Sequence, residues 1–348
     1  IGVPLTILGI EKNINSISAL IIILLNWLKL MIFSQYPDII VIEMGADRPG
    51  DMDYLTSIVS PDIAILTSVA YAHSEFFDDI NAIANEKQKI VLNMKNDGTA
   101  IINYDDIHVR NVMNKTKKQI VSYGTQKNAD FIATDIDICF HQCHTTGLSF
   151  KLNYKGKTIP VRLDHVIAQH FVYAALAGLA LADTIGINII DVIGNIASFQ
   201  SSPGRMRLLD GYNATVVIDD TYNASPQSME AAIATLHSAP GERKIAVLGD
   251  MRELGDVSQR QHQKIAQQLQ KIKVDIVFLV GKEMRITYDE LQGRDIKVEY
   301  YSNSGDVKND VIDLVQTGDI ILVKGSRGIY MEKIVATLVS DKTKTLSE

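Results

Sequence analysis

Short apolar runs that end in polar or turn residues recur along the chain and alternate with stretches of helical spacing. Such runs are typical of strands buried on both faces of a parallel sheet. In the first half, the runs at Asp38 to Glu43, Asp62 to Thr67 and Thr99 to Ile102 predict strands. Helical spacing at Asp51 to Val59 and at Ile80 to Asn93 predicts the helices between them. These strand–helix–strand units predict a mostly parallel sheet.

The period of the pattern changes to two from about residue 120 to residue 163. Asp135 to Phe140 and Leu148 to Tyr154 alternate between apolar and polar residues, with turns at 145–147 and 155–157. Alternation of this kind around short turns predicts a small antiparallel patch.

A linker at Ser201 to Gly204 separates two predicted domains, residues 1–203 and 204–348. Before the linker, Ala168 to Gly186 and Ile189 to Phe199 have helical patterns. After it, strands are predicted near residues 215, 244, 275, 297 and 319, with helices between them. We therefore expect an α/β protein whose second domain is doubly wound and Rossmann-like.

The apolar segment Ile17 to Phe33 has two interpretations. It is about as long as a short membrane-spanning helix. Asn26 and Lys29 would then lie in hydrocarbon, where a lysine costs roughly 2.5–3.5 kcal/mol. The alternative, which these polar residues favour, is a helix that packs against the sheet or docks on a part of the protein outside this sequence.

Composition narrows the class of protein. Apolar residues make up 46% and charged residues 22%, as in ordinary globular proteins, and a net charge of −7 gives no electrostatic reason to expect nucleic acid. With only two cysteines, no disulfide framework is expected, which fits a reducing cytoplasm. Cys139 to His144 does not predict zinc, because residues 139, 141 and 143 of a strand lie in a line on one face.

Polar motifs follow the apolar runs of the second domain. Asp219 to Pro226, Gly249 to Gly255 and Lys324 to Gly328 each come at the end of such a run. Ligands of open α/β sheets bind outside the carboxyl ends of the strands, so these motifs predict a binding crevice. Arg205, next to the linker, suits phosphate because its planar guanidinium binds in a bidentate manner.

Three residues of the first domain are candidates for a metal site. Glu43 ends a predicted strand, and a carboxylate there suits Mg²⁺ beside phosphate oxygens. His73 follows the next strand, and Lys87 lies on the helix after it. Each also has an ordinary structural explanation: a helix cap, a satisfied histidine and a solvated charged helix face.

These motifs resemble those of the Mur ligases, the ATP-dependent amide-forming enzymes of peptidoglycan synthesis. Asp219 to Pro226 resembles the family's Asp-Asp-Ser-Tyr-Asn-Ala-Asn-Pro, and Gly249 to Gly255 resembles Gly-Asp-Met-x-Glu-Leu-Gly. Lys324 to Arg327 resembles Lys-Gly-Ser-Arg, and Pro203 to Arg205 resembles the hinge Pro-Gly-Arg. The resemblance covers nearly the whole chain and implies a central phosphate-loop-type domain followed by the Rossmann-like domain.

The resemblance also implies roles for individual residues, with ATP and Mg²⁺ as cofactors. The implied metal ligands and catalytic residues are Glu43, His73 and Lys87, the last as a carbamate. The implied nucleotide-binding residues are Arg205, Asp219, Asp220, Tyr222 and Asn223. The implied substrate-binding residues are Asp250, Glu253, Lys324, Ser326 and Arg327. Two departures from the family pattern, Ser68 for Asn and Lys89 for an acidic residue, fall near the metal ligands.

Within the family, the motifs are most similar to those of the member that adds D-alanyl-D-alanine to UDP-N-acetylmuramoyl-tripeptide through an acyl phosphate. We expect a cytoplasmic monomer without stable membrane insertion. The chain contains no Gly-x-x-x-x-Gly-Lys-Ser/Thr phosphate loop. We therefore expect an N-terminally truncated chain that is inactive alone.

Three alternatives remain open. A sister ligase that adds diaminopimelate or lysine is disfavoured because no Asp-Asn-Pro-Arg segment occurs. A folylpolyglutamate synthase-like enzyme shares the architecture but not the Asp-Asp-x-Tyr-Asn-Ala pattern. A non-catalytic remnant would serve as a binding or scaffold protein.

Overall fold

The computed structural model describes residues 2–10, 17–32, 36–70, 76–141, 144–272 and 274–339. Over these ranges the chain is an α/β protein, and it divides into two compact units, the first up to Phe131 and the second from Ile132. The fold class predicted from the alternating strand and helix patterns is confirmed.

The first unit contains five α-helices and three strands in its described part. Its helices are α1 (Gly2–Ile7), α2 (Ile17–Ile32), α3 (Asp51–Ile58), α4 (Ile80–Leu92) and α5 (Ile107–Arg110). Its strands are β1 (Ile63–Leu66), β2 (Thr99–Asn103) and β3 (Gln119–Gly124). Strand β2 pairs in parallel with both β1 and β3, so the antiparallel patch begins after β3 and not at residue 120 as predicted.

The prediction of a strand at Asp38 to Glu43 is wrong. These residues lie outside any helix or strand, and Ile39 and Val41 are 57% and 77% exposed. A β-branched run forms a stable strand only when neighbouring strands pair with its backbone and cover its side chains. In the described part of the chain no strand pairs with this run, so Glu43 lies on an exposed segment before α3.

Helix α2 forms where the apolar segment predicted a helix. One side of the helix faces solvent and is not packed against a sheet. Its residues Ile21, Leu24, Leu25 and Ile32 are all more than half exposed. None of the helices in the described part of the chain is long and apolar enough to cross a membrane.

The second unit begins with the predicted antiparallel patch. It consists of β4 (Phe131–His141), β5 (His144–Tyr154) and β6 (Lys157–Asp164), with β5 antiparallel to both neighbours. Helices α6 (His170–Thr184) and α7 (Ile189–Ile196) follow, as predicted.

A six-stranded sheet forms the rest of the second unit. Its strands are β7 (Arg207–Asp210), β8 (Val216–Asp220), β9 (Lys244–Gly249), β10 (Ile276–Val280), β11 (Lys297–Tyr301) and β12 (Ile320–Lys324). Its helices are α8 (Pro226–Ser238), α9 (Ser258–Lys271), α10 (Met284–Leu291), α11 (Ser304–Leu314) and α12 (Glu332–Leu338). The strand order is β11-β10-β9-β12-β8-β7, parallel except for the edge strand β7.

Burial explains why the sequence pattern predicted the central strands. Every residue of β10 and β12 is buried, because α8 and α10 pack on the sheet and α11 and α12 form the hydrophobic core with alternate strand residues. Continuous apolar runs are what strands covered on both faces require. The predicted doubly wound domain is therefore confirmed.

Candidate functional site

The polar motifs of the second sheet meet at one edge. Lys324 at the end of β12 is the register partner of Asp220 on β8 and of Leu248 on β9. Because β12 lies between β8 and β9, the segments that follow these three strands leave the sheet side by side. The structure therefore brings together motifs that lie far apart in the sequence.

Lys324 is paired inside the protein. Its side chain is 2% exposed, and its Nζ donates to Asp220 Oδ2 at 2.6 Å and to the carbonyl oxygen of Asn223 at 3.0 Å. A buried ammonium needs such partners, because an unpaired buried charge is strongly destabilising. Lys324 therefore holds the Asp219–Asn223 segment in place, and its contact with a substrate carboxylate stays a prediction.

The two aspartates at the end of β8 hold residues 201–206, which we call the hinge segment. Asp219 Oδ2 accepts the backbone N–H of Gly204 at 2.9 Å, and Asp220 Oδ1 accepts that of Met206 at 3.2 Å. In return, the N–H of Tyr222 donates to the Gly204 carbonyl at 2.9 Å. We call Asp219, Asp220 and Lys324 the clamp. Its described hydrogen bonds are made within the protein, with backbone N–H groups, the Thr221 hydroxyl and the Lys324 ammonium, although the resemblance implied that both aspartates contact nucleotide.

Glycine is required in the hinge segment at position 204. Its φ of +75° lies in the left-handed region, and a Cβ there would lie 2.8 Å from the backbone nitrogen of Tyr222. Any larger residue would push the hinge segment away from β8. The Pro-Gly-Arg motif thus has a geometric reason in this chain.

Two arginines lie over the ring of Tyr222. The guanidinium carbon of Arg205 is 4.1 Å from the ring centroid and that of Arg327 is 5.4 Å away, both within cation–π range. All three side chains are exposed, as is Asn223 beside them. The clamp therefore presents an aromatic ring and two guanidinium groups, the chemistry that binds phosphate and stacks on flat rings.

A cavity of about 520 Å³ opens beside this group. Its volume lies in the range of small-molecule sites, roughly 300–1,000 Å³. Arg205, Asp220 and Tyr222 line one part of it, and His170 and Phe171 at the start of α6 line another. Desolvation lowers the pKa of His170, a shift that the nearby Asp220 carboxylate opposes and the Lys324 ammonium reinforces. Neither His170 nor Phe171 was predicted from the sequence, where the one available signal was an aromatic pair at the start of an alanine-rich helix.

Hydrogen bonds of the buried residues Asp250 and His262 hold the segment after β9 in place. Asp250 is buried, and its Oδ1 accepts the N–H of Met284 at 2.8 Å. Burial raises the pKa of this carboxyl group, while backbone hydrogen bonds from Met284 and Glu283 lower it. His262 Nε2 accepts the N–H of Met251 at 3.2 Å, and its Nδ1 bonds the Ser258 carbonyl at 2.9 Å.

Ser326 connects this segment to the clamp. Its hydroxyl donates to the carbonyl of Ala224 at 3.3 Å and accepts the N–H of Arg252 at 2.9 Å. Glu253, by contrast, is exposed, with a left-handed φ of +63°. Of the predicted substrate-binding residues, Glu253 and Arg327 face solvent, whereas Asp250, Lys324 and Ser326 are buried in the supporting network.

The predicted metal ligands lie in the first unit and are less completely described. Glu43 is exposed, Lys87 is half-buried on α4, and His73 lies outside the described residues. Over the described ranges, no group of three or more His, Cys, Asp or Glu residues is placed to hold a metal ion. The assignment of Mg²⁺ to these residues stays a prediction.

Lys89, the departure from the family pattern on α4, has a structural role. Its Nζ donates to Asp53 Oδ2 at 2.6 Å and to Glu86 Oε2 at 2.8 Å. Glu86 is 4% exposed and also accepts the N–H of Met52 at 2.8 Å. Lys89 therefore ties α4 to α3 and neutralises a buried carboxylate.

Two family models match the chain. One match ends before the hinge segment, and the other begins within it. The Mur ligase middle domain matches residues 11–182, and the Mur ligase, glutamate ligase domain matches residues 204–327. The chain belongs to the Mur ligase family. The boundary that we predicted between residues 203 and 204 stays a prediction.

Two curated relatives of this Mur ligase carry the same enzyme name. The chain is 30% identical over 299 residues to the UDP-N-acetylmuramoyl-tripeptide–D-alanyl-D-alanine ligase of Rickettsia prowazekii, covering 85% of this chain and 65% of that protein. It is 29% identical over 346 residues to the ligase of the same name from Bacillus subtilis, covering 97% and 67%. This Mur ligase thus spans about two thirds of the length of these relatives.

Solved structures share the fold. MurF from Acinetobacter baumannii superposes with a TM-score of 0.73 at 28% identity, covering 85% of this chain and 63% of that chain. MurF ligase from Thermotoga maritima in complex with ADP gives a TM-score of 0.75 at 25% identity, covering 97% and 75%. This Mur ligase therefore has the α/β architecture that the resemblance implied.

Proposed function

We propose that the protein carrying this chain is an ATP-dependent carbon–nitrogen ligase that adds D-alanyl-D-alanine to UDP-N-acetylmuramoyl-tripeptide. The observation that carries the proposal is the clamp, which presents Arg205, Tyr222 and Arg327 beside the cavity. The names of the relatives from R. prowazekii and B. subtilis supply the substrates.

An adenine nucleotide fits the chemistry of this group. The cavity offers aromatic rings from Phe171 and Tyr222 for a flat base, and Arg205 and Arg327 offer guanidinium groups for phosphate. The T. maritima structure, which contains ADP, supports a nucleotide in this family. We assign Asp219 and Asp220 to positioning the hinge segment and Tyr222, Asn223 and Arg205 to the nucleotide.

In the proposed reaction, ATP would transfer a phosphoryl group to the terminal carboxylate and leave as ADP. The amine of the dipeptide would then attack the acyl phosphate, forming the amide and displacing phosphate. Arg205 and Arg327 would neutralise the negative charge that phosphate groups bring to the cavity. The clamp keeps these side chains in one arrangement before the substrates arrive, which lowers the entropic cost of reaction.

We place Mg²⁺ at Glu43, His73 and Lys87. A carboxylate suits this hard ion, and an exposed one is accessible to it, but the described residues form no complete set of ligands. We therefore derive no step through the ion. Carbamylation of Lys87 would add the further carboxylate that the site needs.

We also infer that the protein works in the cytoplasm as a monomer. The presence of only two cysteines supports a reducing compartment. Sedimentation velocity of the purified protein would test the monomer, and a species of twice the mass would contradict it.

Phosphate release by the whole protein tests the proposed reaction. Release from ATP should need both UDP-N-acetylmuramoyl-tripeptide and D-alanyl-D-alanine. Equal release with a single amino acid, such as D-alanine or diaminopimelate, would overturn the assignment of the dipeptide. No release with any acceptor would favour a non-catalytic binding protein.

A matched pair of tyrosine variants tests the nucleotide site. Tyr222 and Tyr212 are similarly exposed, at 43% and 47%, but only Tyr222 lines the cavity. Tyr222→Leu should raise the KM for ATP by about tenfold, since a ring that stacks and binds cations contributes about 1–2 kcal/mol. Tyr212→Leu should leave it unchanged, and equal effects would remove Tyr222 from the nucleotide site.

A further inference from the structure

Helix α2 presents an unusual apolar face to solvent. Successive residues of a helix are about 100° apart, so Ile21, Leu24, Leu25, Leu28 and Ile32 fall within one sector of roughly 100°. Their side chains are 39–69% exposed. Five large aliphatic side chains on one exposed face are far more than the scattered apolar residues of an ordinary protein surface.

The opposite side of α2 carries its polar amide. Ile23, Asn26 and Leu30 are the less exposed positions among residues 21–30. A surface helix of a globular protein normally turns its apolar side inward and its polar side outward. Here Asn26 is turned toward the less exposed side while leucine and isoleucine face out. The outer face of α2 is therefore built for contact with something apolar.

The residues beside this face indicate what that partner is. Trp27, 46% exposed, lies on one side of the face, and exposed Lys29 lies on the other. Tryptophan favours the boundary between lipid headgroups and acyl chains, and lysine buries its alkyl stem while its ammonium reaches the phosphates. Lys29 is the only charged residue of the helix, so the charge of α2 is complementary to anionic lipid.

The length of α2 indicates its orientation. Its 16 residues extend about 24 Å, whereas the hydrocarbon core of a bilayer is about 30 Å thick. A helix of this length is too short to span the core, so contact with lipid would place it in the plane of the interface.

We propose that α2 binds the surface of a lipid bilayer, with Ile21, Leu24, Leu25, Leu28 and Ile32 at the headgroup–acyl boundary and Lys29 against lipid phosphates. A second copy of the chain is the competing occupant. Interfaces between proteins have a polar rim with about one hydrogen bond per 100–200 Å². Among the described side chains on the outer side of α2, only Trp27 and Lys29 can form such bonds, which favours lipid.

The single tryptophan of the chain provides a local probe. Because Trp27 is the only tryptophan, its fluorescence reports on α2 alone. The full chain is mixed with vesicles of phosphatidylcholine and phosphatidylglycerol, or of phosphatidylcholine alone. We expect a blue shift of the emission and co-sedimentation with vesicles, both stronger when phosphatidylglycerol is present.

Matched double variants test whether the face is responsible. Leu24→Asp with Leu25→Asp should lower the vesicle-bound fraction by about tenfold or more, because two apolar side chains no longer enter lipid. The control is Ile187→Asp with Ile190→Asp, two residues of the second unit that are 47% and 57% exposed, and it should bind like the unmodified chain. Lys29→Glu should weaken binding to phosphatidylglycerol vesicles and leave binding to phosphatidylcholine unchanged.

Two outcomes would overturn the proposal. One is the absence of any blue shift and co-sedimentation with either type of vesicle. The other is a blue shift that grows with protein concentration in the absence of lipid, together with a dimer in sedimentation velocity that the Leu24→Asp, Leu25→Asp variant abolishes. The second result would assign the face to another copy of the chain. Neither outcome depends on the proposed ligase activity.

Discussion

The clamp and the predicted metal ligands were both identified from polar residues near apolar runs, yet they differ in burial and in hydrogen bonding. Asp219 and Lys324 are buried, and Asp220 is nearly so, with each polar group bonded to the chain. Glu43 is exposed, and Lys87 is half-buried on a helix. Residues whose polar atoms bond to the protein position other groups, whereas residues that face solvent are available to a ligand. Loss of the first kind should lower stability, and loss of the second should lower activity.

Lys324→Met should have the largest effect on stability. It removes a buried cation and leaves the carboxylate of Asp220 without its closest partner. Breaking a buried pair in this way costs about 3–5 kcal/mol in the free energy of unfolding, measurable by denaturant titration.

Lys95→Met is the control for that variant. Lys95 pairs with Asp62 at the same 2.6 Å, but these side chains are 51% and 78% exposed. Exposed pairs contribute little because water screens them, so we expect almost no change. Similar losses for Lys324→Met and Lys95→Met would contradict the distinction between positioning and exposed residues.

Asp219→Ala should have the next largest effect. The backbone N–H of Gly204 and the hydroxyl of Thr221 lose their acceptor, which costs about 2 kcal/mol. The hinge segment should then open more often, so that trypsin cleaves faster after Arg205.

Asp79→Ala separates hinge effects from general destabilisation. Asp79 caps α4 by accepting the N–H of Ala82 at 2.7 Å, and its loss costs about 1 kcal/mol. It should leave cleavage after Arg205 unchanged. Equal acceleration in both variants would mean that the clamp does not hold the hinge segment.

Asp250→Asn should have a smaller effect, which depends on pH. Burial raises the folded pKa of Asp250 above its unfolded value, so the ionised form destabilises the fold at neutral pH and protonation relieves this as pH falls. Asparagine keeps an oxygen for the N–H of Met284 without the charge. The variant should be more stable at pH 7, by roughly 1 kcal/mol or less, and its advantage should shrink toward pH 4. If the difference in stability between the variant and the unmodified chain stayed constant across this range, its pH dependence would not come from Asp250.

Glu43→Gln and Lys87→Met should have the smallest effects on stability, within about 0.5 kcal/mol, because neither residue is deeply buried. If these residues hold Mg²⁺, phosphate release by the whole protein should nevertheless fall at least tenfold, roughly the effect of disturbing a metal site. High bicarbonate should not restore the Lys87→Met variant.

Lys89→Met, on the same helix, should behave in the opposite way. It leaves buried Glu86 without a cation, which should lower stability by about 1–2 kcal/mol.

Activity that survives in Glu43→Gln and Lys87→Met would remove both residues from the metal site.

The central strands of the second sheet, β8, β9, β10 and β12, were predictable because each is covered on both faces and so requires an apolar run. The edge strand β7 was missed for two reasons. Among the described residues only one strand, β8, pairs with it, and Arg207 to Asp210 mixes charged and apolar residues. The error at Asp38 to Glu43 has a related cause. An apolar run indicates burial only where the tertiary structure provides cover, and among the described residues no strand pairs with this run.

The site was predictable as a set of motifs but not as an arrangement. The sequence placed Lys324 at a strand end, but lysine is normally exposed, so its burial against Asp220 could not be foreseen. That pairing depends on β12 inserting between β8 and β9, which no local pattern encodes. His170 and Phe171 were missed for the same reason, since the shape of the cavity depends on tertiary packing.

Distant motifs form one network at the end of the second sheet, and a double-mutant cycle between Asp220 and Lys324 tests this network most directly. The free energies of unfolding of Asp220→Asn, Lys324→Met and the double variant are compared with that of the unmodified chain. We predict a coupling energy of about 2–3 kcal/mol, as expected for a buried bonded pair. Additive effects, within about 0.5 kcal/mol, would contradict the claim.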